Sequence, residues 1–507
     1  MLPNANALTG RTMEVLKGLL SQPLGKAGYV SPTSATDGIA NYDLEPRAKL
    51  LFPIKTPLRN RIPRAMANGG IQANWRAITG INTTHLSPGL SEGNRNAAQT
   101  HTFADYFAAY RELGSDDYVT WKAEYAAEGF DDAKALCVDN LLRATMVSEE
   151  MTDLGGNTSL QLGTTPTPTL STVTTGGTLT NQTWSVICVA LTFDGYTQVA
   201  GVNDGTTGEQ VNIATATLSA SITRTNMDGS SDTYGGGVAQ KSASATQATT
   251  GTTSTISATV AWVNGAYAYA WFWGLAGSEV LGAVTTSNSV LISAAATGSL
   301  TAASLPSSDN STNALVYDGL LTMLAKAGVG SYFQTMPTGT AGVGTPLSSD
   351  GAGGITEFNS AFYSFYNLYR ISPQVIFINA REAININAKI VSGGGAPLFR
   401  FDVTPDGKTF VVGGVGVKAL LNKITGDLVE LIVHPFIPPG TVLFYTDALD
   451  YPLSGVRQLI VKRLRYDYRA MEWPMVRRRH EYGVYFDGVL QNYFMPAFGI
   501  LTNIASG

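Results

Sequence analysis

Residues 130–156 read FDDAKALCVDNLLRATMVSEEMTDLGG, and the fold turns on this stretch. Phe130, Ala133, Cys137, Leu141 and Ala144 recur at spacings of 3, 4, 4 and 3, the period of one helical face. Asp132, Asp139, Arg143 and Glu150 fall on the opposite side. Asp139 and Arg143 form an i,i+4 pair, and Gly155-Gly156 supplies a stop. The pattern predicts a long amphipathic helix over about Asp131–Asp153 with one buried face, a spine on which a domain can pack.

Upstream, the first 50 residues read as an arm. Thr9 can cap a short helix through Leu20, after which Gly25, Gly28, Pro32 and Gly38 break regular structure. The run LFPIKTPLRNRIPR (51–64) carries Pro53, Pro57 and Pro63 and predicts an extended path without helix. The polar stretch around Trp75, IQANWRAITGINTTHLSPGLSEGNRNAAQ (71–99), predicts a two-stranded loop projecting from the body.

Downstream the composition changes. Residues 155–310 hold two basic residues, Arg224 and Lys241, against seven acidic ones; the rest of the chain is balanced, so this segment carries the whole net charge of −5. It is rich in Thr, Ser, Gly and Ala and predicts a separate β-sandwich inserted into a host fold. Trp184, Val186, Cys188 and Ala190 share one side of a strand. Tyr267, Tyr269, Trp271 and Trp273 form a ladder at period two, read as core rather than a sugar site because the alternate residues are apolar too. From Pro306 the pattern turns mixed: helices at 318–327, 355–369 (apolar face Phe358, Phe362, Phe365, Leu368) and 381–390, a buried strand in 373–380, a strand-like 409–417, and strands from Val456 onward.

Several classes of function are excluded on composition and spacing. At 507 residues the chain suits two to four domains. Charged residues are 14%, against roughly 25% on average, and the net charge gives no global basic field for gripping nucleic acid. Two cysteines, Cys137 and Cys188, make no disulfide framework, and histidines 85, 101, 434 and 480 show no metal spacing. The N-terminus lacks a basic start followed by an apolar core, so no signal peptide is expected, and no run has the length of a membrane helix. GLSEG (89–93) lacks the strand and helix of a nucleophile elbow and reads as a polar turn. GGVGVK (413–418) is neither a P-loop nor a dinucleotide fingerprint, and NMDGSSD (226–232) reads as a hairpin tip rather than a calcium loop. No catalytic, metal or cofactor site is expected, and no cofactor.

One basic stretch stands out. Between Arg457 and His480 lie eight Lys or Arg residues, interleaved with Tyr466, Tyr468 and Trp473 and opposed only by Asp467 and Glu472. Nucleic-acid contact is one reading, and an ordinary solvated strand face is another. Contact between subunits is preferred, with Arg463, Arg465, Arg477, Arg478 and Arg479 as candidates. Trp75 on the projecting loop is a further candidate contact, since aromatics and Arg dominate interface energetics; packing on its own domain is its alternative.

The order of parts resembles the major capsid protein of tailed bacteriophages, the Hong Kong 97-like fold. FPIKTPLRNRIPR with Trp75 downstream, the 130–156 helix, and the ending RRRHEYGVYFDGVLQNYFMPAFGILTNI carry the resemblance. It implies an α+β fold: N-terminal arm (1–50), extended loop and peripheral domain with spine helix (51–164), inserted sandwich (165–305), axial domain (306–449) and return to the peripheral domain (450–507). The insert looks similar to an immunoglobulin or fibronectin type III module. The resemblance implies a non-enzymic virion protein that assembles in the host bacterial cytoplasm as pentamers and hexamers. The icosahedral shell encloses double-stranded DNA without sequence-specific binding and without a membrane. Implied partners are a scaffolding protein, a portal protein and possibly a decoration protein; a β-rich fibre or surface adhesin is the alternative. No Lys occurs between Lys55 and Lys122, so the lysine cross-link that some members form through the loop is not expected.

Overall fold

The computed structural model describes residues 54–81, 89–95, 100–128, 131–200, 213, 216–392, 401–403, 409–411, 417–449, 456 and 458–505. The arm, its Thr9–Leu20 helix and most of GGVGVK lie outside these residues. The first described element is a helix, α1 (Pro57–Arg61), where the proline run predicts none. Pro57 sits in its first turn, where the missing N–H has no partner to lose and the fixed φ suits a helix. After the short β1 (Arg64–Met66), β2 (Gln72–Ile81) and β3 (His101–Ala109) pair antiparallel and form a sheet of their own. This is the two-stranded loop that the sequence predicts.

β4 (Arg111–Thr120) leads into α2 (Trp121–Ala127), and the spine helix α3 spans Ala133–Gly155. Asp132 caps α3 by accepting the amides of Lys134 and Ala135, and Gly156 ends it. Cys137 and Leu141 are buried as predicted, but Ala144 is exposed. From Thr145 on, the buried face is polar: Thr145, Glu149, Glu150 and Asp153 are all enclosed. Glu150, expected on the solvent side, is fully buried because α1 covers that side of the helix.

The inserted segment contains β5 (Thr169–Val173), β6 (Thr183–Leu191), α4 (Phe193–Ala200), β7 (Ser221–Thr225), β8 (Ser231–Gly235), β9 (Ala245–Ala248), β10 (Thr255–Thr259), β11 (Ala268–Gly274), β12 (Val280–Thr285) and β13 (Ser289–Ile292). One sheet runs β12-β11-β6-β9 and the other β13-β10-β5. Trp184, Val186, Cys188, Tyr269, Trp271 and Trp273 of the first face Ile256, Ala258, Val290 and Ile292 of the second across one core. The aromatic ladder is therefore core, and its polar atoms are satisfied inside: Trp271 Nε1 donates to Thr285 Oγ1 at 2.8 Å and Trp273 Nε1 to the Ala294 carbonyl at 2.9 Å. Gly282 is required beside this ladder, since a Cβ there would overlap the Trp273 indole. The β7–β8 hairpin stands apart as a sheet of its own. At its polar tip Arg224 Nη2 lies 3.0 Å from Asp232 Oδ2, so a guanidinium holds the carboxylate that a calcium reading would need.

The insert is seated by buried contacts. The ring of Phe193 packs where a Cβ on Gly155 would otherwise stand, and Phe193 and Tyr267 belong to the host core with Leu154, Tyr317 and Leu320. The Tyr267 hydroxyl donates to the Leu321 carbonyl at 2.9 Å, so this rung of the expected ladder leaves the sandwich for the host. At a second point Asn288 N donates to Asn503 Oδ1 at 2.9 Å, and Asn503 Nδ2 returns a bond to Asn288 Oδ1 at 3.1 Å.

The remaining elements are α5 (Leu320–Ala325), β14 (Tyr332–Thr335), α6 (Thr356–Tyr369), β15 (Val375–Ile378), α7 (Ala380–Ser392), β16 (Phe401–Val403), β17 (Thr409–Val411), β18 (Ala419–Leu421), β19 (Leu428–Val433), β20 (Val442–Tyr445), β21 (Ile460–Glu472), β22 (Arg479–Asn492) and β23 (Gly499–Thr502). Six strands form a mixed sheet in the order β14-β23-β20-β15-β19-β18. α6 packs on it through Phe358, Phe362 and Phe365, whose rings meet Phe444 edge-on at 5.6, 6.1 and 5.9 Å. Leu368, predicted on this face, is exposed in the last turn of α6, just before the left-handed Arg370 that ends the helix. A second mixed sheet, β1-β21-β22-β4, packs its edge strand β4 and the neighbouring β22 on α3. The molecule is thus α+β, with a sandwich between the spine helix and the six-stranded sheet in sequence.

Candidate functional site

The polar end of α3 builds a buried charge cluster. Glu149 and Asp153 lie one turn apart on the same face, and both meet Lys462 from β21, itself 1% exposed. Arg59 Nε reaches Glu149 Oε2 at 2.7 Å, and Arg64 Nη1 reaches Glu149 Oε1 at 2.8 Å. The Tyr317 hydroxyl donates to Asp153 Oδ1 at 2.6 Å, and the Tyr468 hydroxyl donates to Glu149. The Arg64 guanidinium also lies over the Tyr468 ring, 4.8 Å from its centre. Burial alone would raise the Glu149 carboxyl, but the Lys462 charge, the Tyr468 hydroxyl and Arg64 outweigh it and bring its pKa down to about 2. At Asp153 burial wins: with Glu149 adding repulsion against the pull of Lys462, its pKa rises to about 6.

Glu150 organises the neighbouring corner. Its oxygens accept the amides of Leu58 at 2.9 Å and Arg59 at 2.6 Å, capping α1 from 92 residues away in place of Thr56, whose side chain makes no cap bond. His434 Nε2 stands 2.6 Å from Glu150 Oε1. Because His434 Nδ1 accepts the Phe436 amide at 3.1 Å, Nε2 carries the proton and donates to Glu150. These contacts tie the chain just before the β2–β3 ribbon to the spine helix. Sequence reasoning missed them because each carboxylate finds its partner far along the chain. The one signal present was three acids, Glu149, Glu150 and Asp153, crowded into the last two turns of the helix.

The ribbon has two unlike faces. Ala73, Trp75 and Ala108 lie toward the host core, and the Trp75 ring stacks on Tyr106 with centres 5.8 Å apart. Ile78, Phe103 and Phe107 alternate onto the other face and are exposed, Phe107 by 72%. Between them Arg76 pairs with Asp105. Trp75 is thus half-buried against its own chain, and its Nε1 is enclosed without an acceptor among the described residues.

The basic residues of β21, β22 and their connecting turn divide into two groups. Arg465 pairs with Asp487 and lies 5.6 Å from the centre of the Tyr110 ring. Arg479 pairs with Glu481 and lies 4.4 Å from the centre of the Tyr118 ring, while Arg463 is half-buried with its Nε unpartnered among the described residues. Arg477 and Arg478 project from the turn, exposed. Lys462 belongs to the buried cluster and is out of reach of any partner molecule. Among the described residues no group of three or more His, Cys, Asp or Glu is placed to hold a metal ion. Nor is any described helix long and apolar enough to cross a membrane.

No family model and no curated protein matches the sequence. Among solved structures the chain is similar to the capsid of a native GTA particle, at 8% identity and a TM-score of 0.41, over 94% of this chain and 100% of that one. It is also similar to the capsid of Myoviridae phage XM1, at 9% identity and a TM-score of 0.38, over 94% and 100%. A third similar structure is the procapsid of satellite phage P4 including the size determination (Sid) protein, at 9% identity and a TM-score of 0.36, over 98% of each chain.

Proposed function

We propose that this chain is the major capsid protein of a tailed double-stranded DNA bacteriophage, a structural, non-enzymic subunit that assembles with itself into an icosahedral shell. The observation that carries the reading is the β2–β3 ribbon, which pairs with no other described strand of its own chain and leaves Ile78, Phe103 and Phe107 open. A ribbon of this kind is half an interface, and a neighbouring copy supplies the rest. The buried cluster supports the same role: Arg59 and Arg64 pin the root of the ribbon to α3, so its position is fixed where it leaves the body. Pentamers and hexamers need head-to-tail contacts that close at five or six copies, and a firmly rooted ribbon offers a fixed element for such a contact.

Trp75, Arg463, Arg465, Arg477, Arg478 and Arg479 remain our candidates for contacts between subunits. A scaffolding protein and a portal are the further partners this role calls for, and a decoration protein is a candidate third. The inserted segment, with two basic and seven acidic residues over 155–310, suits the outer surface, away from packaged DNA. Expression of the chain alone and with its scaffold, imaged by electron microscopy, tests the reading. Closed shells or rings of five and six are the expected outcome. A monodisperse monomer under every condition would move the balance to a fibre or adhesin.

A further inference from the structure

At the end of the β1-β21-β22-β4 sheet, the β21–β22 turn lies beside the start of α2, since Arg479 pairs with Thr120 across the strands. Two kinds of surface meet there. Residues 473–479 carry three basic residues and no acidic one, and residues 117–132 carry one basic residue and five acidic ones. Large side chains stand open around the junction: Trp121, Tyr125 at 80%, Trp473 and Val476 at 85% exposure. Arg477 and Arg478 are exposed on the turn, and Asp117, Glu128 and Asp132 are exposed on the acidic side.

The internal pairing separates residues already committed from those still open. Arg465 and Arg479 have carboxylate partners within the chain, and His480 lies 3.3 Å from both Glu124 and Glu472. Exposed aromatics with unpaired arginines are the composition of an interface anchor rather than of a solvated surface. Opposite charge beside them on the same chain supplies the complement.

We infer that the Trp473–Arg478 turn of one copy docks on the Asp117–Glu128–Asp132 surface of a second copy of this chain, with Arg477 and Arg478 meeting those carboxylates and Val476 and Trp473 packing on Tyr125 and Trp121. This rests on the shell reading and narrows it: of the candidate arginines, the two on the turn make the contact between copies. The patches differ, so the contact is heterologous and propagates until rotation closes it.

Charge reversal tests the pairing. R477E/R478E is expected to leave the thermal unfolding temperature of the subunit unchanged, and D117K/E128K to lower it slightly through the lost Asp117 contacts with Cys137 Sγ and the Tyr118 amide. Each raises the protein concentration needed for half-assembly by about tenfold or more, read by sedimentation and electron microscopy. The four substitutions together, which restore opposite signs, recover assembly. Normal shells from R477E/R478E would overturn the docking and leave the shell reading intact. Loss in both double variants without recovery in the fourfold variant would overturn the pairing of these two patches. A wild-type chain that never assembles, at low or high salt, would overturn both.

Discussion

The carboxylate of Glu150 lies 2.6 Å from Nε2 of His434, with both side chains wholly buried, and the same carboxylate caps a helix formed 92 residues earlier. Three separate stretches of chain therefore meet at one acid. Glu150→Gln would leave an amide N–H facing either a backbone N–H or the His434 Nε2–H. We expect a loss of about 2–4 kcal/mol, measured by chemical denaturation of the subunit. A loss under about 0.5 kcal/mol would show that water replaces the carboxylate.

Lys462 neutralises two buried carboxylates at once. Lys462→Met is expected to destabilise by about 3–5 kcal/mol, because Glu149 and Asp153 would keep their burial and lose their ammonium. Adding Asp153→Leu should recover a large part of that loss. Independent, additive effects of the two substitutions would contradict the coupling.

The two acids respond to pH in opposite directions. Glu149 is depressed to about 2 in the fold, so its contribution is present above its ordinary range near 4.5 and disappears as pH falls through 2. Asp153 is raised to about 6 from an ordinary 3.8, so its contribution is full below 3.8 and is lost as pH rises through 6. The cluster is most favourable between these limits, near pH 4–5. Asp153→Asn should flatten the stability profile between pH 4 and 7, removing a slope worth on the order of 1–3 kcal/mol. Melting curves across that range for the two proteins decide it.

Gly155 and Phe193 occupy one space. Gly155→Ala should cost about 1–3 kcal/mol through overpacking, although alanine is the better helix former. In a Phe193→Ala background the same change should be neutral or stabilising. Differential scanning calorimetry of the four proteins provides the cycle.

The open face of the ribbon can be tested apart from its root. Ile78→Asp with Phe107→Asp should leave subunit unfolding within about 0.5 kcal/mol, since both residues are exposed, and should block assembly. Shells of normal yield from this variant would remove the ribbon from the interface.

Local patterns were readable where neighbours in sequence are neighbours in space. The β2–β3 pairing around Trp75, the alternation of Tyr269, Trp271 and Trp273, and the Phe358–Phe362–Phe365 stripe all follow from period two or 3.6. Glu150 was misplaced because periodicity along α3 describes one partner surface, and α1 supplies a second. The helix at Pro57 was missed because proline opposes a helix interior while favouring its first turn. The basic half of the candidate assembly surface was legible as charge, and the acidic half at Asp117, Glu128 and Asp132 was not read from the sequence. Which arginines are already paired depends on Asp487 and Glu481 across the β21–β22 hairpin, information that local spacing does not hold.

The β7–β8 hairpin bears on engineering. Among the described residues its tip bonds only within the hairpin, through Asn226, Asp228, Ser230 and Asp232, and Gly229 at φ +90 turns the chain with open space where a side chain would stand. The sandwich beneath it is clamped at Phe193 and at Asn288. A foreign peptide spliced at residues 227–229 would therefore ride on a fixed mount, and if the proposed shell forms, each subunit would carry one copy.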